Sequence, residues 1–462
     1  MLHLFRKRWT YCFALLVLVS AACILPGKIG YTAPTDSSAI VITHPEWSRN
    51  AAIYEVNIRQ FTPEGTLKAF ETHLPRLREL GVDLLWLMPI HPIGEVNRKG
   101  SLGSYYSVRD YKAINPEFGT LDDLKSVVKS AHELGMHVII DWVANHSAWD
   151  NPLAAEHPDW YTQNEQGQFV SPVPDWHDVI DLNYDNPDLR EYMIGAMEYW
   201  LREADLDGFR CDVAGMVPWD FWSEARQALD QIKPVFMLAE DEAPAAHEHG
   251  FDMTYSWELF KLMAAIAKGD SNANTLHRYF AEEVKRYPLD AYRMRFTDNH
   301  DENSWNGTVR ERFGDGAAAF AVLCGTIPGM PLIYSGQEAG LDKRLDFFER
   351  DPIEWQDSPM QELYQKLLEL KRNNPVLGNG SFGGSMQRIK TDKDQQVFSF
   401  IRHKDGQAVL VITNLSGTPQ TVRMLDDHCY GDYMNWFTGE PFGLAHGTQI
   451  NLEPWDYRVL VR

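Results

Sequence analysis

The sequence predicts an α/β protein: a (β/α)8 TIM barrel with a short inserted subdomain after strand 3 and a C-terminal antiparallel β-sandwich. Three observations carry this. Short apolar runs alternate eight times with longer segments of helical periodicity, as repeated strand–helix units do. The alternation lapses once, over residues 146–186, into a stretch rich in Pro, Asp and Trp that is too long for an ordinary connection. From about residue 381 the pattern changes to a period of two with turn signals between runs, as in VFSFIRH, AVLVITNL and YRVLVR.

Taken in order, the chain opens with Arg6, Lys7 and Arg8 ahead of an apolar run over 11–22. That run is shorter than the ~20 residues a spanning helix needs, so residues 1–22 read as an export signal peptide. Ser20, Ala21 and Ala22 before Cys23 admit ordinary cleavage or a lipoprotein-type cut with a lipid on Cys23, and the second is preferred. The expected location is therefore periplasmic, secreted or lipid-anchored to a membrane. Residues 23–45 form a polar linker. A catalytic barrel over 46–375 follows, interrupted by the 146–186 subdomain, and the sandwich covers 376–462. Strands are predicted at 52–58, 83–90, 137–143, 208–213, 235–240, 251–256, 292–298 and 331–336. Helices are predicted at 67–81, 121–135, 189–204, 220–232, 258–268, 275–286, 316–327 and 360–372, several ending in Gly as a C-cap would. A doubly wound open sheet is the alternative to the closed barrel.

With 462 residues and 44% hydrophobic content the chain can bury a large core. Its 43 Lys and Arg stand against 65 Asp and Glu, a net charge of −22 that becomes −25 if residues 1–22, with three basic and no acidic side chains, are removed. Such acidity repels nucleic acid and anionic membrane and is indifferent to a neutral substrate. The five cysteines show no metal or disulfide spacing, and Cys211 should point away from Arg210 and Asp212, into the core.

Arg210 and Asp212, two apart in GFRCD, share a strand face, and the guanidinium should keep the carboxylate ionised. Taken alone, such a pair serves a fold as readily as a reaction. Asp141, Glu240, Asp298 and Asp301, however, also fall at or just past strand ends, and a parallel barrel opens all those ends on one face. Converging carboxylates repel, so their gathering favours chemistry over stability. One carboxylate held ionised and one raised by its neighbours equip a site for glycoside hydrolysis, with Asp212 as nucleophile and Glu240 as acid/base. His146 and His300 can donate to sugar hydroxyls. No HExxH or similar ligand spacing indicates a catalytic metal.

DWVANH (141–146), GFRCDVA (208–214), the Glu240 of LAEDE and FTDNHD (296–301) resemble the four signature regions of the α-amylase family of glycoside hydrolases, in order and on the right strands. SYYSVRDYKAINPEFGT (104–120) and IPGMPLIYSGQEAG (327–340) resemble two further stretches, so the likeness spans about residues 50–375. The resemblance implies Asp212 as nucleophile, Glu240 as general acid/base and Asp301 as the carboxylate gripping the sugar's hydroxyls. It implies Arg210 orienting the nucleophile, His146 and His300 hydrogen-bonding the sugar, and Tyr106 stacking beneath it, with Tyr105 left to packing. The implied reaction is retaining cleavage of α-1,4-glucosidic bonds in starch or maltooligosaccharides.

Asn145 and Asp181 match positions that hold a structural calcium in many relatives, and no other cofactor is implied. Met216 stands where those enzymes have a histidine, and Gly215 where lysine is usual, which weakens the match around the ion and the leaving-group side. Trp142, Trp149, Trp160 and Trp176 lie near the site and are expected mainly to pack. Two other functions remain open here, an α-glucan transglycosylase and a non-catalytic glycan-binding surface lipoprotein.

Overall fold

The eight apolar runs close on themselves. In the computed structural model, which describes residues 40–462, the barrel strands are Ile53–Val56, Leu84–Leu87, His137–Trp142, Gly208–Cys211, Phe236–Ala239, Met253–Thr254, Tyr292–Arg295 and Met330–Tyr334. All neighbours pair in parallel, and Ile53 is registered with both Leu84 of the second strand and Leu332 of the eighth, which closes the ring. Apart from His137 every strand residue is buried. That is why these strands read as unbroken apolar runs, each buried Leu, Ile or Val contributing about 1.5–3 kcal/mol. The signal-peptide and Cys23 readings lie outside the described residues. Among the described residues no helix is long and apolar enough to cross a membrane.

One predicted element is divided. The helical pattern over 67–81 becomes two helices, Leu67–Glu71 and Leu74–Leu80, because Pro75 lacks an amide hydrogen and its ring would clash with the carbonyl four residues back. Elsewhere side-chain caps fix the helix starts. Thr120 and Asp123 form a reciprocal capping box on Leu121–Glu133, and Asn186 caps Pro187–Ala204, where regular structure resumes after the insertion. The insertion itself is pinned by a short antiparallel pair, His146–Ala148 with Val179–Asp181, in which His146 faces Asp181.

After the last barrel helix, Pro359–Asn373, the chain builds a six-stranded antiparallel sheet and a separate pair, Gln420–Val422 with Ile450–Leu452. The period of two sorts the side chains of the large sheet. Phe398, Phe400, Val409 and Val411 join the barrel's core, while Val397, Ile401, Leu410 and Ile412 face Val422, Ile450 and Leu452 in a second core. Two buried basic side chains fasten this junction. Lys371 donates to Gly329 O, Leu377 O and Asn379 Oδ1, and Arg402 to Thr326 O, Gly378 O and Gly384 O. Both heads are satisfied by oxygen atoms, as burial demands.

Candidate active site

Arg210 is the hub of the strand-end face. Its Cα partner across the ladder is Asp141, so the two side chains enter the same level of the barrel. Nη1 donates to Asp141 Oδ1 and Oδ2 at 2.8 and 3.1 Å and to Asp212 Oδ1 at 3.0 Å. Nη2 lies 2.9 Å from Glu240 Oε2, and Nε donates to the Tyr255 hydroxyl at 3.3 Å. One buried guanidinium therefore serves three carboxylates. Asp141 is further held by Trp86 Nε1 at 3.1 Å and by the Tyr106 hydroxyl at 3.2 Å, and it is wholly buried. Its place is to position Arg210.

The backbone contributes too. Val213, directly after Asp212, sits at φ 37°, a left-handed conformation that a β-branched residue avoids. This turn aims the Val213 amide at Glu240 Oε2, 2.8 Å away. Strain of this kind persists where the surrounding structure fixes it, commonly at functional sites.

Three carboxylates around one cation leave an excess of negative charge. Burial, then the facing charge of Glu240, push Asp212 well above the ordinary carboxylate range against the pull of Arg210. Burial likewise raises Glu240, with Arg210 opposing and Asp301 adding to the rise. This corrects the expectation that Arg210 alone keeps Asp212 ionised, because the guanidinium's charge is divided among Asp141, Asp212 and Glu240. A proton on Glu240 removes the largest charge facing Asp212, so the pair together favours one proton and one negative charge.

Above this hub lies a pocket of about 230 Å³, lined by Asp212, Glu240, Asp301, His146, His300 and Tyr106 among others. All the residues predicted for catalysis or substrate contact line it except Arg210, which stands behind. Asp301 is the most open of the three acids, its side chain 37% exposed. His300 Nε2 lies 2.8 Å from the Tyr106 hydroxyl and 3.4 Å from Asp301 Oδ2, and its Nδ1 is 2.5 Å from Glu55 Oε1. Burial works against the imidazolium of His300, but Asp301 and Glu55 hold its pKa up, at about 9. Burial pulls His146 down to about 4, so that ring is neutral near pH 7.

Other predicted residues take other places. Asp298, three residues past the seventh strand, is buried against Arg312 at 2.5 Å and is absent from the pocket lining. Tyr105 packs under Arg59, and Cys211 is buried as expected. Of the four tryptophans only Trp176 lines the pocket; Trp142 and Trp160 are core. The sequence reading missed Glu55, Lys99, Trp305, Phe347 and Phe348. Trp305, four residues past Asp301, is 52% exposed, an unusual outlay of apolar surface that could have flagged it.

Calcium needs six to eight oxygen ligands. Here Asp181 offers one half-buried carboxylate and Asn145 one amide oxygen, its amide nitrogen lying 3.2 Å from His146 Nδ1. Met216 is half exposed, and a side chain at Gly215 would meet Asp241 Oδ2 at 2.0 Å. Two side-chain oxygens do not make a calcium cage.

Comparison with known proteins bears on the same face. Residues 35–178 and 151–376 match the family model for the alpha amylase catalytic domain. The chain is 27% identical over 399 residues to the alpha-amylase MalA of Haloarcula japonica, covering 82% of this chain but only 57% of that protein's length. It is 26% identical over 438 residues to a cyclomaltodextrinase of a Bacillus species, covering 83% of this chain and 76% of the relative. Among solved structures, a maltogenic alpha-amylase from Thermotoga neapolitana superposes with a TM-score of 0.83 at 32% identity, covering 89% of this chain and 98% of the other. An alpha-amylase from Lactobacillus plantarum gives 0.80 at 31%, covering 90% and 99%. A likeness of this extent takes in the barrel together with the strand ends that build the pocket: the chain belongs to the α-amylase family of glycoside hydrolases.

Proposed function

We propose that the protein is an exported, retaining α-glucan hydrolase that cleaves α-1,4-glucosidic bonds in starch-like glucans or maltooligosaccharides. The observation that carries this reading is the bridging of Asp212 and Glu240 by one guanidinium at the base of a pocket that also holds Asp301. Two carboxyl groups gripped by one guanidinium suit the retaining route, whose pair stands about 5–5.5 Å apart and leaves no room for water between nucleophile and sugar. Asp212 attacks the anomeric carbon while Glu240 gives its proton to the departing glycosidic oxygen, forming a glycosyl ester on Asp212. Glu240 then takes a proton from water as it attacks the same carbon and releases Asp212. Asp301 accepts hydrogen bonds from the sugar's hydroxyls, His146 and His300 face them, and the Tyr106 ring forms a floor.

The names of the relatives, amylases and a cyclomaltodextrinase, support an α-glucan substrate. Transglycosylation shares the ester and differs only in which hydroxyl attacks it. A time course of products from soluble starch, maltoheptaose and pullulan tests the reading. Maltooligosaccharides released with α configuration and without longer transfer products are expected; dominant chain lengthening would make it a transferase, and no product at all would leave glycan binding. Export and a lipid on Cys23 rest on the basic and apolar stretch at residues 6–22 and are tested by the mass of the mature N-terminus.

A further inference from the structure

We propose that Glu55, in the middle of the first barrel strand, is a positioning residue that fixes His300 as a doubly protonated donor at the pocket floor. The Tyr106 hydroxyl has one hydrogen and two neighbours, Asp141 Oδ2 at 3.2 Å and His300 Nε2 at 2.8 Å. Asp141 already accepts from Arg210 Nη1 on both oxygens and from the donor-only Trp86 indole on Oδ2, so the tyrosine's hydrogen goes to it as well. His300 Nε2 must then carry a hydrogen of its own, directed to Tyr106 and to Asp301, 3.4 Å away. On the ring's other side, Nδ1 meets Glu55 Oε1 at 2.5 Å, a contact that requires one shared proton.

Nothing in the fold explains Glu55 otherwise. It is fully buried, its Oε1 meets His300, and its Oε2 has no hydrogen-bond partner among the described residues. A buried carboxylate with an orphan oxygen costs stability, which points to function rather than packing. The groups facing this pair are Arg210, Asp141, Tyr255 and Tyr334 toward Glu55, and Asp301, Arg210, Asp141, Glu240 and Tyr106 toward His300. Burial and the cation of Arg210 disfavour the imidazolium, and the carboxylates of Glu55 and Asp301 outweigh them. Removing Glu55 leaves His300 free to lose its second proton near neutrality and to turn an acceptor toward Tyr106, which would take that tyrosine's hydrogen from Asp141.

This inference rests on the hydrolase reading for its kinetic consequence but not for its structural one, so the experiment has two arms. In wild-type protein labelled with 15N-histidine, one imidazole among the 16 histidines is expected to keep both N–H signals to about pH 8, above the usual histidine range, and to vanish in His300→Gln. Titration of every histidine below about pH 7.5 would overturn the proposal. In Glu55→Gln, the loss of kcat/KM on maltoheptaose is expected to be about tenfold larger at alkaline than at acid pH, moving the alkaline limb toward acid by about one unit. An equal loss at every pH would mark Glu55 as merely structural and overturn the proposal. Should Glu55→Gln fail to fold, or the wild type fail to cleave any α-glucan, the labelling arm still decides.

Discussion

Two barrel-strand arginines, both fully buried, show opposite uses of one interaction. Arg295, on the seventh strand, binds Glu283 through both oxygens at 2.9 and 2.6 Å, and Arg293 adds a second guanidinium at 3.3 Å. Arg293 also holds Glu242 at 2.9 Å, so there two carboxylates answer two cations. At Arg210 three carboxylates answer one cation. Burial pushes every one of these acids upward. At Glu283 the two arginines more than reverse the push, whereas at Asp212 and Glu240 the neighbouring acids reinforce it. The ratio of charges, rather than the presence of a buried pair, separates a fold-holding network from a reactive one.

The pH consequences differ in sign. Glu283, held below its unfolded value, lends stability above the ordinary carboxylate range and loses it as pH falls through its folded value. Asp212 and Glu240, held above theirs, favour the fold when protonated and tax it as pH rises through and beyond that range.

Substitutions sharpen the contrast. Asp212→Asn should lower kcat on maltooligosaccharides on the order of 10⁴-fold, as removing a nucleophile does, while leaving the thermal midpoint level or higher because a repelling charge is gone. A fall in midpoint would make Arg210 and Asp212 a structural pair after all. Glu283→Gln should do the reverse. It leaves the buried Arg295 guanidinium without a counter-charge while Arg293 keeps Glu242, at a cost of about 3–5 kcal/mol in denaturant unfolding, with kcat per folded molecule unchanged. A smaller effect falls on the aromatic wall. Trp305 stands half exposed with Phe347 and Phe348 behind it, ring centroids 5.3 and 5.7 Å away. Trp305→Ala should raise KM for maltoheptaose a few-fold and leave kcat alone, the loss of about 0.5–1.5 kcal/mol of stacking.

What was legible in the sequence follows from range. The strands could be read because burial on both faces makes each an apolar run bounded by turn residues, and the acids at their ends then fall on one side by topology alone. Arg210 and Asp212 were visible as neighbours two apart. Asp141 as a third claimant on the guanidinium was not, because that depends on the register of the third strand against the fourth. Glu55 was hidden for a related reason: in AIYEVNI it reads as ordinary polar alternation, and its partner His300 is 245 residues away. Phe347 and Phe348 sit on a loop whose path carries no periodic signal. Pro75 marks the division of the 67–81 pattern, since a proline fits only the first turn of a helix.

The central claim is that Asp212 carries the sugar between the two half-reactions. The direct measurement is intact and peptide mass spectrometry of the Glu240→Gln variant after incubation with α-glucosyl fluoride, whose leaving group departs without a proton from the enzyme. Loss of the acid/base slows the release of the ester more than its formation, so the account predicts one glucosyl unit accumulating on the peptide that contains Asp212. A glucosyl unit on any other residue, or steady turnover with no adduct, would contradict it.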